Sequence, residues 1–249
     1  MYEGSDMSDI SVHTTASTPT GKPIVVFDLD GTLVDTAPDL LDSLNHCLIA
    51  GGLTPADPAA LRKFVGSGAK VMIERAYQAQ NKHLSDEQMQ KLFKLFMEHY
   101  NGNMPGSSAF YPGVLACLDA LKQAGYILAV CTNKFEVSAK KLLEGLGEAQ
   151  RFAVICGQDT FPYRKPDPRH LTDTIKLAGG NPLQAVMVGD SRADIDAAKA
   201  AGIPVIAVDF GYTDLHVSHF EPSRIISHFN ALTTDMVAEL MSAAKQAAE

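Results

Sequence analysis

Hydrophobic and polar positions along this chain follow two periods, which divide it into two textures. From Gly113 onward, short apolar runs at 126–131, 152–156, 185–188 and 205–208 alternate with stretches of helical period at 113–124, 136–146, 168–178, 193–201 and 231–247. Residues 25–28 form an earlier run of the same kind, and 224–226 a weaker sixth. Continuous apolar runs predict strands buried on both faces, and strand–helix alternation predicts βαβ units. The expected fold class is α/β: a doubly wound, mostly parallel, Rossmann-like sheet with helices on both faces.

Residues 36–110 read differently. Leu40, Leu41, Leu44 and Leu48, then 71–79, then 89–97, carry a helical period with no convincing strand between them. Thr36 and Asp39 stand at capping-box spacing with Pro38 in the first turn, while Gly51-Gly52 and 101–108 supply breaks. The pattern predicts a helical cap domain at 36–110, inserted into an α/β core domain of 22–35 and 111–249. Placed directly after the first strand, it can hang over that strand's end as a lid. Residues 1–21 are polar and Ser/Thr-rich, and a disordered tail is expected there.

Composition narrows the function classes. Hydrophobic residues make up 46% and charged residues 20%, as in ordinary globular domains, and the formal charge of −8 comes with no basic stripe. Nucleic acid is therefore not the expected partner. No run approaches the ~18 apolar residues of a membrane span, so no membrane partner is expected. The cysteines Cys47, Cys117, Cys131 and Cys156 lie far apart without a Cys-x-x-Cys pair, which predicts free thiols in a reducing compartment and a cytoplasmic location. His216 and His219 have the spacing of a weak ligand pair but sit in a polar late loop, where solvation is the simpler reading.

The chemistry concentrates where the first apolar run ends, at Val25-Val26-Phe27-Asp28-Leu29-Asp30-Gly31-Thr32. Side chains alternate along a strand, so Asp28 and Asp30 start on one side and Leu29 on the other. Ligands of open α/β sheets bind beyond the carboxyl ends of strands, and two acids there repel unless a cation or proton sits between them. The economical explanation is a divalent-metal site in which one carboxylate is also free to attack. A lone Asp after a strand would more simply be a turn former.

Three later strand ends would converge beside the first. Thr132-Asn133 offers a hydroxyl, an amide and free N–H groups at a helix start, suited to an anion or simply to capping the helix. Lys165, in Arg164-Lys165-Pro166-Asp167-Pro168, is held at a helix start, where a cation does not help the helix dipole. It is better explained as a phosphate ligand or a counter-ion to Asp28. Arg164 reads as solvated. Asp190 follows a buried strand and Gly189, as Asp28 follows its own strand, and is a candidate metal ligand. Ser191 and Asp194 have capping-box spacing, so Asp194 either binds metal or caps the next helix.

The run 28–35 resembles the first motif of the haloacid dehalogenase-like hydrolases. Thr132, Lys165 and Gly189-Asp190 are similar to the second, third and fourth motifs, in order, over roughly residues 24–211. The resemblance implies a helical cap and an aspartyl-phosphate mechanism. Asp28 would attack phosphorus and Asp30 would serve as acid and base. Thr132, Asn133 and Lys165 would bind the phosphoryl oxygens. Mg²⁺ would be held by Asp28, Asp190 and the backbone carbonyl of Asp30. Phe64-Val65-Gly66-Ser67-Gly68 and 35–40 are further similar to the phosphoglycolate phosphatase-like subgroup; the loop either meets a small anion, with Arg62 or Lys63, or only joins two helices.

The function expected is thus a Mg²⁺-dependent phosphatase of a small phosphorylated metabolite, 2-phosphoglycolate first. The alternatives are a phosphomutase like β-phosphoglucomutase, or a pyrophosphatase or nucleotide phosphatase on the same fold. A non-catalytic phospholigand-binding module ranks last, because Asp28, Asp30 and Lys165 are all present.

Overall fold

The computed structural model describes residues 21–57, 65–66 and 68–248, so the expected disordered tail, except Gly21, and the candidates Arg62 and Lys63 lie outside the described residues. In chain order the elements are β1 (Lys22–Phe27), β2 (Val34–Asp35), α1 (Ala37–Ala50), α2 (Ala69–Ala79), α3 (Asp86–Asn103), β3 (Ala109–Phe110), α4 (Val114–Gln123) and β4 (Ile127–Cys131). There follow α5 (Glu136–Gly145), β5 (Ile155–Cys156), α6 (Pro168–Leu177), β6 (Gly180–Gly189), α7 (Arg192–Ala200), β7 (Val205–Val208), β8 (Arg224–Ile226) and α8 (Thr234–Ala248).

The sheet has six strands in the order β5-β4-β1-β6-β7-β8, all paired in parallel. β1 lies inside it, so its residues find apolar neighbours on both faces. Val25 and Phe27 enter one core cluster, with Leu118 and Leu142 of the helices, while Ile24 and Val26 enter the other, with Leu171 and Ile195. This two-sided burial is why the strands read as unbroken apolar runs. The strand order reverses between β1 and β6, and ligands of such sheets bind at the carboxyl edge of that switch.

The helices α1, α2 and α3 pack on one another through Leu44, Leu48, Met72, Ile73 and Phe96, all buried. Their insertion is closed at its base by a ribbon that the sequence pattern did not predict, in which Val34 pairs with Phe110 and Asp35 with Ala109, antiparallel. Two-residue strands are too short to carry a period.

Several boundaries differ from expectation. β6 begins at Gly180 rather than 185, and β5 contains only Ile155–Cys156 of the run 152–156. The last helix starts at Thr234, after a 3₁₀ turn at Phe229–Ala231. The capping box at Thr36 and Asp39 does not form. Thr36 makes no side-chain cap, and Asp39 instead accepts from the Ser107 and Ser108 amides at 2.7 and 3.0 Å and from Ser108 Oγ. The start of α1 is served by Tyr212, whose hydroxyl oxygen accepts from the N–H groups of Thr36 at 2.7 Å and Ala37 at 2.9 Å. Spacing marked the helix start correctly, but tertiary partners satisfied it.

Candidate functional site

At the end of β1 the Asp28 amide still donates to Val188 of β6 at 2.9 Å, so the carboxylate leaves the sheet at its edge. The chain then turns, with the Leu33 and Val34 amides both donating to the Leu29 carbonyl at 3.0 Å. Gly31 makes the turn possible: its φ is +83°, and a Cβ there would lie 2.5 Å from Asp190 Oδ2. The turn brings Thr32 against Asp190, to whose Oδ1 its hydroxyl donates at 2.9 Å, while the Tyr212 amide donates to Oδ2 at 2.7 Å. Asp190 is thereby oriented from two elements distant in sequence.

Lys165 reaches the same edge. Its Nζ donates to the Cys131 carbonyl and to Asp194 Oδ1, each at 2.6 Å, and lies 3.0 Å from Asp28 Oδ1 without hydrogen-bond alignment. Asn133 Nδ2 donates to the Lys165 carbonyl at 2.9 Å, so Asn133 fixes the lysine's backbone. Thr132 Oγ1 accepts from the Lys134 amide at 3.2 Å, a local turn bond; neither Thr132 nor Asn133 caps α5, whose N-cap is Phe135 without a side-chain cap. Asp194 Oδ2 accepts from the Ser191 amide at 3.0 Å and hydroxyl at 2.6 Å, and the expected capping box is complete.

The electrostatics are unbalanced. Asp28, Asp190 and Asp194 each offer an oxygen within 4.8 Å of the others, and all three are buried. Among the described residues one ammonium, Lys165, stands against them. Burial raises Asp28 from 3.8 to about 6, with Lys165 opposing and Asp194 and Asp30 reinforcing the rise. Burial, then the charges of Asp28 and Asp194, push Asp190 well above its ordinary value. Burial would lower Lys165, but Asp194 and Asp28 outweigh it and keep it protonated. With Lys165 committed to Asp194, excess negative charge rests on Asp28 and Asp190. Hard oxygens with surplus negative charge suit a divalent cation between those two.

These groups share a cavity of about 260 Å³ containing Asp28, Asp30, Thr132, Asn133, Lys165 and Asp190 on its walls. The structure thus brings all six predicted site residues together. Val65, Gly66 and Gly68 of the inserted segment close its other side. Gly66 sits tight against the core: a Cβ on it would lie 2.9 Å from the Tyr212 carbonyl oxygen. Arg164 is exposed as expected, yet it also lines the cavity and donates to Gln158 Oε1 at 2.8 Å.

Sequence reasoning missed Lys134, Tyr100 and Tyr212. Lys134 Nζ lies 3.0 and 3.1 Å from the two oxygens of Asp30 and donates to the Tyr100 hydroxyl at 2.7 Å. Burial works against its charge, but Asp30 and Tyr100 prevail and raise it above an ordinary lysine. Lys134 follows Thr132-Asn133 and stands just before α5, as Lys165 stands just before α6, so a signal existed. Tyr212 had none, because its partners Asp190, Asp35, Thr36 and Ala37 are remote in sequence.

Residues 25–208 match a family model described as haloacid dehalogenase-like hydrolase. The chain is 60% identical over 223 residues to a phosphoglycolate phosphatase of Mesorhizobium japonicum, covering 90% of this chain and 98% of the relative. It is 49% identical to a phosphoglycolate phosphatase of Agrobacterium fabrum, covering 91% and 97% of the two chains. A solved structure of a predicted phosphoglycolate phosphatase from Haemophilus somnus superposes with a TM-score of 0.78 at 33% identity, covering 84% of this chain and 95% of that one.

Proposed function

This chain belongs to the haloacid dehalogenase-like hydrolases, and on that footing we propose that it is a Mg²⁺-dependent phosphatase whose substrate is 2-phosphoglycolate. The observation that carries the reading is the position of Asp28. It stands at the end of β1 beside both Lys165 and Asp190, with a second acid, Asp30, on the same turn. Both named relatives support the choice of substrate.

In this reading an Asp28 oxygen attacks phosphorus in line, and the ester P–O bond breaks as the new O–P bond forms. Asp30 gives its proton to the departing oxygen, then takes one from the water that hydrolyses the aspartyl-phosphate. That second attack releases inorganic phosphate and restores Asp28. Lys165, Thr132 and Asn133 surround the phosphoryl oxygens, and Asn133 also holds the Lys165 backbone. Asp28, Asp190 and the Asp30 main-chain carbonyl would hold Mg²⁺, which when bound supplies positive charge against the phosphoryl oxygens.

The segment 36–110 acts in this reading as a cap domain that excludes bulk water and limits the substrate to small esters. A cytoplasmic site of action fits the four cysteines, all free and buried. The test is phosphate release from 2-phosphoglycolate, glucose 1-phosphate, pyrophosphate and a phosphopeptide, with and without Mg²⁺. The highest kcat/KM is expected for 2-phosphoglycolate. Preference for the phosphopeptide would contradict the cap, and isomerised sugar phosphate without phosphate release would mark a mutase.

A further inference from the structure

Among the described residues the cleft holds two buried ammonium groups, and phosphate binding accounts for one. Lys165 stands at Asp28, where phosphorus is attacked. Lys134 stands at Asp30, the acid that serves the leaving oxygen, with its side chain 6% exposed. Its head is held from the cap side by the Tyr100 hydroxyl at 2.7 Å and lies 4.4 Å from the centroid of that ring. A lysine so tethered cannot swing out to water. A cation in this place meets the group that phosphate is esterified to.

We infer that Lys134 recognises a carboxylate on the leaving group, so that the site selects phosphoesters of α-hydroxy acids over esters with neutral tails. The inference rests on the phosphatase reading above and names the residue that sets its substrate class. In such an ester the carboxylate carbon lies two bonds from the ester oxygen, about 2.4 Å away. Asp30 must come within about 2.6–3.2 Å of that oxygen to protonate it. Since Lys134 is within 3.1 Å of both Asp30 oxygens, the substrate carboxylate falls within its reach. Of its three donors Tyr100 takes one; a donor that Asp30 gives up as it turns to the ester oxygen passes to the substrate. A neutral tail leaves that donor unsatisfied in a water-poor cavity, which is how polar sites reject analogues lacking a partner group. Arg164, the third cation on the wall among the described residues, is exposed and engaged with Gln158.

The test compares kcat/KM for 2-phosphoglycolate with that for 2-hydroxyethyl phosphate, its neutral-tailed counterpart. Wild type is expected to favour the carboxylate by at least about tenfold, Lys134→Met and Lys134→Gln to bring the ratio near one, and Arg164→Gln to keep it. Taking a ratio removes any effect Lys134 has on the chemistry through Asp30, which strikes both substrates alike. Equal losses on both substrates in the Lys134 variants would overturn the inference while leaving the substrate reading intact. A wild type indifferent to the carboxylate would instead overturn the substrate reading, and the inference with it. Should neither Lys134 variant fold, Tyr100→Phe, which only loosens the lysine, should lower the ratio severalfold; an unchanged ratio would also overturn the inference.

Discussion

Lys165 and Asp194 form a fully buried ion pair at 2.6 Å, shorter and better aligned than the 3.0 Å approach of the same ammonium to Asp28. Asp194 therefore anchors the lysine, leaving Asp28 close to a positive charge without being locked to it. Removing one partner of a buried pair strands the other, at a cost of roughly 3–5 kcal/mol. Asp194→Ala should lower the urea-unfolding free energy by about that amount, and it also removes the Asp194 half of the capping box of α7. An unchanged midpoint would show that Lys165 finds another anchor.

Asp28→Asn should abolish turnover while keeping the fold, because a neutral amide is a poor nucleophile. Asp30→Asn should retain slow attack and accumulate phosphoenzyme, detectable by intact mass after rapid quench. Activity within tenfold of wild type in Asp28→Asn would exclude the covalent route.

The same Asp28→Asn variant should be more stable than wild type when metal is chelated. Burial raises the Asp28 carboxyl from 3.8 to about 6, so its contribution to stability is fully present below pH 4 and is lost as pH rises through 6. Asparagine does not titrate. In EDTA the advantage of the variant should grow between about pH 4 and 6 and level off at on the order of 1–3 kcal/mol. With Mg²⁺ present the order should reverse, since wild type then gains binding energy that the variant lacks.

EDTA should remove activity and Mg²⁺ restore it, while Ca²⁺ should inhibit. Calcium takes more ligands at longer distances and would draw Asp28 from attack geometry. Full activity after exhaustive chelation would remove the role given to Asp190.

Tyr212→Phe deletes the hydroxyl that accepts from the Thr36 and Ala37 amides and donates to Asp35. Leaving buried N–H groups without that acceptor should cost roughly 1–3 kcal/mol by thermal or urea unfolding. Loss of activity with normal stability would instead place Tyr212 in the chemistry.

His170 is buried and held neutral: Nε2 donates to the Gly157 carbonyl at 3.0 Å, and Nδ1 accepts from the Lys165 amide at 3.3 Å. Burial, then Lys165, lowers it from 6.5 to about 4. Because the folded value is depressed, the unfolded chain takes up the proton first, and stability should fall as pH drops from 6.5 toward 4. His170→Gln should flatten that slope.

What the sequence determined by itself was local. Unbroken apolar runs specified strands buried on both faces, a change of period marked the helical insertion, and Asp28-Leu29-Asp30-Gly31 specified a two-acid turn. Each of these is written within a few consecutive residues, where side-chain period and backbone preference act directly. Three chemically loaded strand ends were enough to bring together Asp28, Asp30, Thr132, Asn133 and Asp190, while Lys165 joins them from the loop before α6, nine residues past the end of β5 rather than at a strand end. The tertiary structure decided the partnerships: Thr32 with Asp190 across 158 residues, Lys134 with Asp30 across 104, and Tyr212 in place of the Thr36 cap. It also gave Asp194 a second partner beyond the capping box that its spacing predicted: Oδ2 completes the box with Ser191, and Oδ1 anchors Lys165. Such pairs depend on which strands lie side by side. Here β1 is set between β4 and β6 by the packing of both sheet faces at once. No window of neighbouring residues contains that information, because long-range contacts form only when the whole core is buried together.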